Sequence, residues 1–301
     1  MKQTNQSSTE KSRTPLFKAT IGFDFLFTKG NNGDRRILCL ELNGEDSYIP
    51  INEIENWDTD EETKERVRNR MIYNPERVRR AQYAERLGSD VAPEIKKQAW
   101  AHAREVYVFE NAIRNEPYIK NLVNNKKVQA EFIPHYYQPR TYMPGESPVS
   151  STGFWICKPS GGQRAKGIYI LANEAFTNTF INTGLENTYV AQEFITALGA
   201  DNAPVTMKDH PAILRLVMDI EYFEDETVNE LFTWANQSIS PYSMNDIKIG
   251  HSMEEVSVIT VAERNAKVVT ASDAEFQMAH NAGLEIIRNI GKRLHAIKER
   301  F

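Results

Sequence analysis

Lys158 and the glycine-rich stretch after it are the residues of this sequence best suited to bind a phosphate group. Lys158 follows the apolar run Phe154–Cys157 and precedes Pro-Ser-Gly-Gly-Gln-Arg-Ala-Lys-Gly, after which a second apolar run begins. Backbone N–H groups of a glycine turn can enclose an anion, and a lysine supplies a positive charge to it. The GxxxxGK[ST] spacing is absent, so this is not a Walker phosphate loop. A surface hairpin with solvated charges is the alternative.

Three side chains with oxygen atoms suited to a metal lie in the first part of the chain. Asp24 lies on one strand-like run, and Glu41 and Asn43 lie two residues apart on the next, so a β-hairpin would bring them together. Strict alternation along the second run places Cys39 on the same face as Glu41 and Asn43. Magnesium takes oxygen ligands of this kind and shares them with substrate phosphates. A solvated polar face of an edge hairpin is the alternative.

Arg215 lies in the middle of a third strand-like run, Ala212–Phe223, in which apolar residues alternate regularly. Leu214 and Leu216 fall on one face of the predicted strand, and Arg215 falls on the other face together with Asp219. An arginine in such a strand needs an anionic partner. An ion pair with a carboxylate of the same strand and a clamp on a phosphate group are both open.

The remaining pattern predicts an α+β protein. Residues 1–15 are polar and aperiodic, and we expect them to form a disordered tail. Residues 50–120 are charged, with apolar residues at helical spacing, which predicts a mainly helical segment. Further strand-like runs follow. The stretch from Ser272 to Phe301 predicts a long amphipathic helix, with a capping box formed by Ser272 and Glu275.

Composition argues against several classes of function. The 301 residues include 36 Lys and Arg against 41 Asp and Glu, a net charge of −5 that disfavours a broad nucleic-acid surface. No apolar run approaches the roughly 18 residues of a membrane helix, and the first residues lack the apolar core of a secretory signal. We therefore expect a cytoplasmic protein without nucleic-acid or membrane partners, in which Cys39 and Cys157 are buried thiols. The oligomeric state is open, with a homodimer among the options.

Taken together, these stretches resemble the ATP-grasp superfamily of nucleotide-dependent ligases. They correspond to the family's Asn-Asp-Lys element, its lysine strand with glycine loop, its adenine-binding hinge and its downstream strand arginine. The similar stretches are Asn124-Asn125-Lys126, Lys158-Pro159-Ser160-Gly161-Gly162, Gln192-Glu193-Phe194-Ile195 and Arg215. Asn125 replaces the aspartate that is usual in the family.

The metal-binding strand pair of the family has a different place in this chain. In the family, a Gly-x-Asp-Phe strand and a Glu-x-Asn strand follow a helix like the one predicted at the end of this sequence. Here Gly22-Phe23-Asp24-Phe25 and Leu40-Glu41-Leu42-Asn43 resemble that pair, in the same order but near the beginning. The resemblance therefore implies a circularly permuted ATP-grasp protein, a rearrangement that folds with neighbouring termini tolerate. It also implies that Phe301 lies close to the strand that starts at Ala19.

The resemblance implies two α+β lobes that hold ATP between them. Residues 16–49 would be the permuted metal-binding hairpin of the C-terminal lobe, and residues 196–301 the rest of that lobe. Residues 121–195 would be the N-terminal lobe with the glycine loop and the hinge. Residues 50–120 do not match the family's leading domain, and a role in substrate binding is one interpretation of them.

The resemblance also implies roles for individual residues. Nucleotide contacts would come from Lys126 and Lys158 at the α- and β-phosphates, Gly161 and Gly162 above them, Gln192, Glu193, Phe194 and Ile195 at the adenine, and Asp201 at the ribose. One or two Mg²⁺ ions would be held by Asp24, Glu41 and Asn43. The migrating phosphoryl group would face Arg215 and Arg264.

The implied reaction is the ATP- and Mg²⁺-dependent joining of a carboxylate to an amine through an acylphosphate. The substrates would be a small-molecule or peptide carboxylate, amino-acid-like in character, and an amine. Such catalysis needs positioning and charge neutralisation rather than a protein nucleophile. A small-molecule kinase on the same fold and a non-catalytic nucleotide-binding adaptor are the alternatives.

Overall fold

The computed structural model describes residues 14–30, 32–43, 126–160, 167–241, 243 and 267–298. Predictions that lie outside these residues concern most of the polar tail, the segment 50–120, the glycines Gly161 and Gly162, Arg264 and the chain end at Phe301. Within the described residues strands dominate and helices are few, so the predicted α+β class is confirmed. No helix in this part of the chain combines the length and the apolar character that crossing a membrane requires.

Eight strands account for most of the described secondary structure. Their bounds are β1 Phe17–Lys29, β2 Arg35–Asn43, β3 Phe154–Pro159, β4 Tyr169–Ala172, β5 Tyr189–Glu193, β6 Ala212–Tyr222, β7 Val228–Ile239 and β8 Lys267–Val269. They form an antiparallel five-stranded sheet with the order β2-β1-β6-β7-β8 and an antiparallel three-stranded sheet with the order β4-β3-β5. The predicted N-terminal hairpin is β1–β2, and β1 also pairs with β6, which carries Arg215.

Helices connect and cover these sheets. Their bounds are α1 Lys126–Phe132, α2 Asn173–Phe176, which continues as a π-helical turn over Thr177–Ile181, and α3 Asp273–Lys298. Short 3₁₀ turns lie at His135–Tyr137, Leu185–Asn187 and Val205–Met207. The long C-terminal helix predicted from the sequence is α3.

The helix α3 packs against one face of the five-stranded sheet and forms the main core with it. Its start has the predicted capping box, because the Glu275 N–H donates to Ser272 Oγ at 3.2 Å and the Ser272 N–H donates to Glu275 Oε2 at 3.1 Å. The buried residues of this core include Ala279, Ala282, Ile286, Ile287 and Ile290 of α3 and Phe23, Phe25, Phe27, Leu214, Leu216 and Met218 of the sheet. The opposite face of the sheet is therefore the one left for a binding site.

The C-terminal half of α3 reaches the beginning of β1. A Cβ atom at Gly291 would lie 2.1 Å from Cζ of Tyr222, so a glycine is needed where the helix crosses this ring. Tyr222 in turn stacks on Phe17, with 5.2 Å between the ring centroids. The C-terminal half of α3 and the first residue of β1 thus pack against the same tyrosine.

A β-bulge in β2 changes the face on which Cys39 lies. Asp24 pairs with Glu41 and the next residue, Phe25, pairs with Cys39, so the register skips Leu40. Cys39 therefore shares the face of Phe25 and is fully buried in the core beneath α3. The prediction that Cys39 lies on the same face as Glu41 is wrong, because strict alternation does not hold across the extra residue of a bulge.

Candidate functional site

One row of polar side chains crosses the face of the five-stranded sheet that points away from α3. Glu41 of β2 lies opposite Asp24 of β1, Asp24 lies opposite Arg215 of β6, and Arg215 lies opposite Asn236 of β7. Neighbouring strands are about 4.8 Å apart, so this polar row spans roughly 14 Å from Glu41 to Asn236. Two carboxylates, a guanidinium and an amide are thus side by side on one rigid surface.

Asp24 is the central acceptor of the polar row. Arg215 donates to it in a bidentate manner, from Nε to Oδ1 and from Nη2 to Oδ2, both at 2.7 Å. Asn43 adds a hydrogen bond from Nδ2 to Oδ2 at 3.1 Å. The anionic partner of Arg215 is therefore a carboxylate of the neighbouring strand and not of its own strand, and this carboxylate, Asp24, is also one of the three predicted metal ligands.

Lys126, the first residue of α1, extends the cluster above Glu41. Its Nζ lies 2.9 Å from Glu41 Oε1. The helix is fastened to β2 by Gln129, whose side chain accepts from the Leu42 N–H at 2.9 Å and donates to the Leu42 carbonyl at 2.8 Å. Because Gln129 is buried, this pair of bonds fixes the position of Lys126 over the strand.

Lys158 approaches the same cluster from the three-stranded sheet. Its Nζ donates to Gln192 Oε1 at 2.9 Å, and Gln192 Nε2 donates to Thr141 Oγ1 at 3.3 Å. Burial lowers the pKa of the Lys158 ammonium from 10.5 to about 8, with Glu41 opposing this change and Lys126 adding to it. We call Asp24, Glu41, Lys126, Lys158 and Arg215 the cleft cluster.

A cavity of about 410 Å³ lies next to the cleft cluster. Its apolar lining includes Leu38 and Ile195, and its charged lining includes Arg36, Arg140 and Glu193. Thr141 also lines the cavity, which links it through Gln192 to Lys158. The cavity and the cluster therefore share two elements, β2 and α1, and Gln192 of β5 links them.

Glu193 and Ile195 of the predicted hinge line the cavity, but the hinge side chains make local contacts. Glu193 accepts from the Ser151 N–H at 2.7 Å and from Ser151 Oγ at 3.2 Å, so its carboxylate holds the turn before β3. Phe194 packs against Ile170 of the three-stranded sheet. The Glu193 carboxylate is therefore already paired within the fold.

Asp201 is not brought to the cleft cluster. Arg35 Nη1 lies 2.5 Å from its Oδ1, and Ser272 Oγ donates to its Oδ2 at 2.9 Å. The same arginine forms an ion pair with the fully buried Glu275. Asp201 thus belongs to a second charged group, formed by Arg35, Asp201 and Glu275, which we call the anchoring cluster.

Comparison with known proteins leaves the chain without a family assignment. No protein-family model matches it, and no curated protein matches it. The apo structure of a glutathione synthetase-like effector from Globodera pallida is similar over 80% of this chain and 76% of that chain, with 12% identity and a TM-score of 0.40. The antiparallel α+β architecture itself is compatible with an ATP-grasp-like fold.

The structure brings together residues from distant parts of the sequence. Seven of the predicted site residues lie in or next to the cleft cluster: Asp24, Glu41, Asn43, Lys126, Lys158, Gln192 and Arg215. Sequence reasoning missed Thr141, Gln129 and Asn236, which are uncharged and lie in unremarkable local sequence. The only signal for Asn236 was its position on a strand that returns after the one carrying Arg215.

Proposed function

We propose that the protein is an ATP- and Mg²⁺-dependent carboxylate–amine ligase with a circularly permuted ATP-grasp fold. The observation that carries the proposal is the cleft cluster. Acidic groups from the N-terminal hairpin and cationic groups from α1, β3 and β6 lie on one surface beside a cavity. Three cations against two carboxylates leave an excess of positive charge where a triphosphate would bind.

The nucleotide would lie along β2, with its base in the cavity and its phosphates over the cleft cluster. Leu38 and Ile195 offer apolar surface to the base. Two hydrogen bonds, through Gln192 to Thr141, connect Lys158 to the cavity. The base and the phosphates of one ligand would therefore contact groups whose relative positions are already fixed.

The residues present fit a magnesium ion by their chemistry. Asp24, Glu41 and Asn43 provide two carboxylates and an amide, an oxygen-only set that suits a hard cation shared with phosphates. Among the described residues no group of three His, Cys, Asp or Glu side chains is placed to hold a metal ion, so the proposed set depends on the Asn43 amide as its third ligand. When bound, Mg²⁺ would neutralise charge on the β- and γ-phosphates.

Nucleotide binding would exchange the partners within the cleft cluster. Arg215 and Lys126 now neutralise Asp24 and Glu41. With MgATP present, both cations would turn to phosphate oxygens, and the carboxylates would turn to the metal. The cluster would therefore remain charge-compensated in both states, and Arg215 would come to face the transferred phosphoryl group.

The reaction would then proceed on the substrates without a protein nucleophile. An oxygen of the substrate carboxylate attacks the γ-phosphorus, the bond to the β–γ bridging oxygen breaks, and ADP leaves. The amine attacks the acyl carbon of the acylphosphate, and inorganic phosphate leaves with the formation of an amide. An amino-acid or peptide carboxylate is the proposed substrate class.

The test is ADP release from MgATP with a panel of amino acids and short peptides, for the wild-type protein and for Glu41→Ala. We expect Glu41→Ala to lower turnover at least 100-fold, because it removes a magnesium ligand. Glu221→Ala is the matched control, since Glu221 pairs with Lys18 at a distant part of β6, and we expect it to keep turnover. Full turnover in Glu41→Ala would show that the metal assignment is wrong.

Other outcomes of the same screen select the alternative functions. A stable phosphorylated product that forms without an amine would indicate a small-molecule kinase. Tight binding of MgATP without ADP formation across the panel would indicate a non-catalytic adaptor. Absence of nucleotide binding would refute all nucleotide-dependent functions.

A further inference from the structure

We propose that Asn236, with Ser238 beside it, binds an N–H group of the substrate that accepts the phosphoryl group. This inference rests on the proposed function, and it assigns residues that the sequence did not single out. Asn236 ends the polar row on the side of Arg215 that faces away from β2. Because the cavity and Lys126 are at the β2 side, the order along the row is base and metal first, transferred phosphoryl group next, and acceptor substrate last.

The hydrogen bonding of Asn236 supports a role in ligand binding. The side chain is 3% exposed, and its Oδ1 atom has no hydrogen-bond partner among the described residues. Ser238, two residues along the same face of β7, is also buried with an unpaired Oγ atom. A buried acceptor without a donor is unfavourable, and a ligand N–H group would remove that cost.

Position distinguishes Asn236 from other unpaired groups. Gln237 on the other face of β7 also has an unpaired Oε1, but its Nε2 donates to Glu275 at 3.1 Å, so it has a partner in the fold. Asn236 instead lies directly across from Arg215. A free acceptor next to the guanidinium that would face the phosphoryl group is placed to bind the acceptor substrate.

The chemistry of Oδ1 indicates the substrate class. An amide oxygen accepts hydrogen bonds and repels other acceptors, so it selects an ammonium, amine or amide N–H group over a carboxylate or phosphate oxygen. The desolvated position increases this selectivity, since an analogue without the N–H group leaves the acceptor unpaired. An amino acid or a peptide carries such a group close to its carboxylate.

The first test compares substrates with and without the N–H group. ADP release is measured with MgATP, the panel of amino acids and short peptides, and the des-amino analogue of each active compound. We expect the wild-type protein to prefer the N–H compound at least tenfold in kcat/KM, and Asn236→Leu to reduce this preference to less than threefold. Asn229→Leu, an exposed asparagine of the same strand, should keep the wild-type preference.

The second test asks whether Asn236 supports the fold. Asn236→Leu should leave the Tm of the free protein within about 2 °C of wild type or raise it, because no hydrogen bond is lost. Gln237→Met, which breaks the bond to the buried Glu275, should lower the Tm more. Equal losses in the two variants would assign Asn236 a structural role and overturn the inference.

The outcomes separate this inference from the proposed function. If AMP-PNP with Mg²⁺ fails to bind to the wild-type protein, the proposed function fails, and the Tm comparison still decides whether Asn236 is structural. If the nucleotide binds but no N–H compound of the panel stimulates ADP release, the assigned substrate class is wrong. If Asn236→Leu keeps the tenfold preference, the assigned residue is wrong.

Discussion

Two charged clusters lie near opposite ends of β2, and they differ in their balance of charge: the anchoring cluster has one cation for two carboxylates, and the cleft cluster has three cations for two carboxylates. In the anchoring cluster, Glu275 is fully buried and both of its oxygens accept hydrogen bonds from several groups. The donors are Arg35 Nη2, the Asp201 N–H, Gln237 Nε2 and the Ser272 N–H. This carboxylate has all the partners it needs within the fold.

The cleft cluster has an excess of cations instead. It has three cations for two carboxylates, the pKa of Lys158 is lowered to about 8 by burial, and Asn236 beside it has an unpaired acceptor. Such an arrangement costs stability unless a ligand completes it. An unpaired atom alone does not separate the two clusters, because Arg35 Nε of the anchoring cluster is also buried without a hydrogen-bond partner among the described residues. The excess of positive charge is therefore what marks the cleft cluster as a binding site.

Removing Glu275 should give the largest effect on stability. Glu275→Ala leaves Arg35 without a buried partner and leaves Gln237 and the start of α3 without an acceptor, so we expect a loss of about 3–5 kcal/mol. Urea unfolding followed by circular dichroism measures this change. Glu285→Ala is the matched control on the same helix, since Glu285 accepts from the hydroxyls of Tyr136 and Tyr137 near the surface. Glu285→Ala should lower the free energy of unfolding by less than about 1 kcal/mol. Equal losses of stability in the two variants would show that the hydrogen bonds of Glu275 do not make it more important for the fold than Glu285.

Lys158→Met should raise the free energy of unfolding at neutral pH, whereas Glu275→Ala should lower it. Below about pH 8 the folded and unfolded chains both carry the proton, so the full cost of burying the charge is present. Between pH 8 and pH 10.5 the folded state loses the proton while the unfolded state keeps it, and wild-type stability rises. The difference between the two pKa values corresponds to about 3 kcal/mol of stability that the variant gains by removing the buried charge. Loss of the hydrogen bond to Gln192 reduces this gain by about 1 kcal/mol.

We therefore expect Lys158→Met to be about 1–2 kcal/mol more stable than wild type at pH 7, with the difference vanishing toward pH 10. Its affinity for MgATP should fall at least tenfold, because a positive charge is removed from the phosphate site. Lys292→Met, at an exposed lysine that pairs with Glu226, should change neither quantity appreciably. A variant that is less stable at pH 7 would place Lys158 among the structural residues.

The strands could be predicted from sequence because alternation is a local property. The runs around Asp24, Glu41 and Arg215 all became strands, with boundaries within a few residues of the predicted ones. The bulge at Leu40 could not be predicted in the same way, because register depends on which residues of β1 pair with β2. This explains why Cys39 was assigned to the wrong face while Glu41 was not.

The site could be predicted only in part, for a related reason. Charged residues in apolar strands are recognisable by type, and the resemblance supplied their grouping. Gln129, Thr141 and Asn236 act through partners that are far away in sequence, at Leu42, Gln192 and Arg215. Because no local pattern encodes such pairings, uncharged residues of the site emerged only from the three-dimensional arrangement.

Substitution of Asp201 should have the smallest effect on stability, and it tests whether this residue belongs to the anchoring cluster or to the cleft cluster. Its carboxylate is 40% exposed and contacts Arg35 and Ser272, so Asp201→Asn should cost less than about 1 kcal/mol in urea unfolding. Because these contacts belong to the anchoring cluster, we expect the affinity for MgATP to change less than threefold. The sequence resemblance instead places Asp201 at the ribose hydroxyls. A loss of nucleotide affinity of tenfold or more, with stability unchanged, would show that Asp201 serves the nucleotide and that the boundary between the clusters lies beyond it.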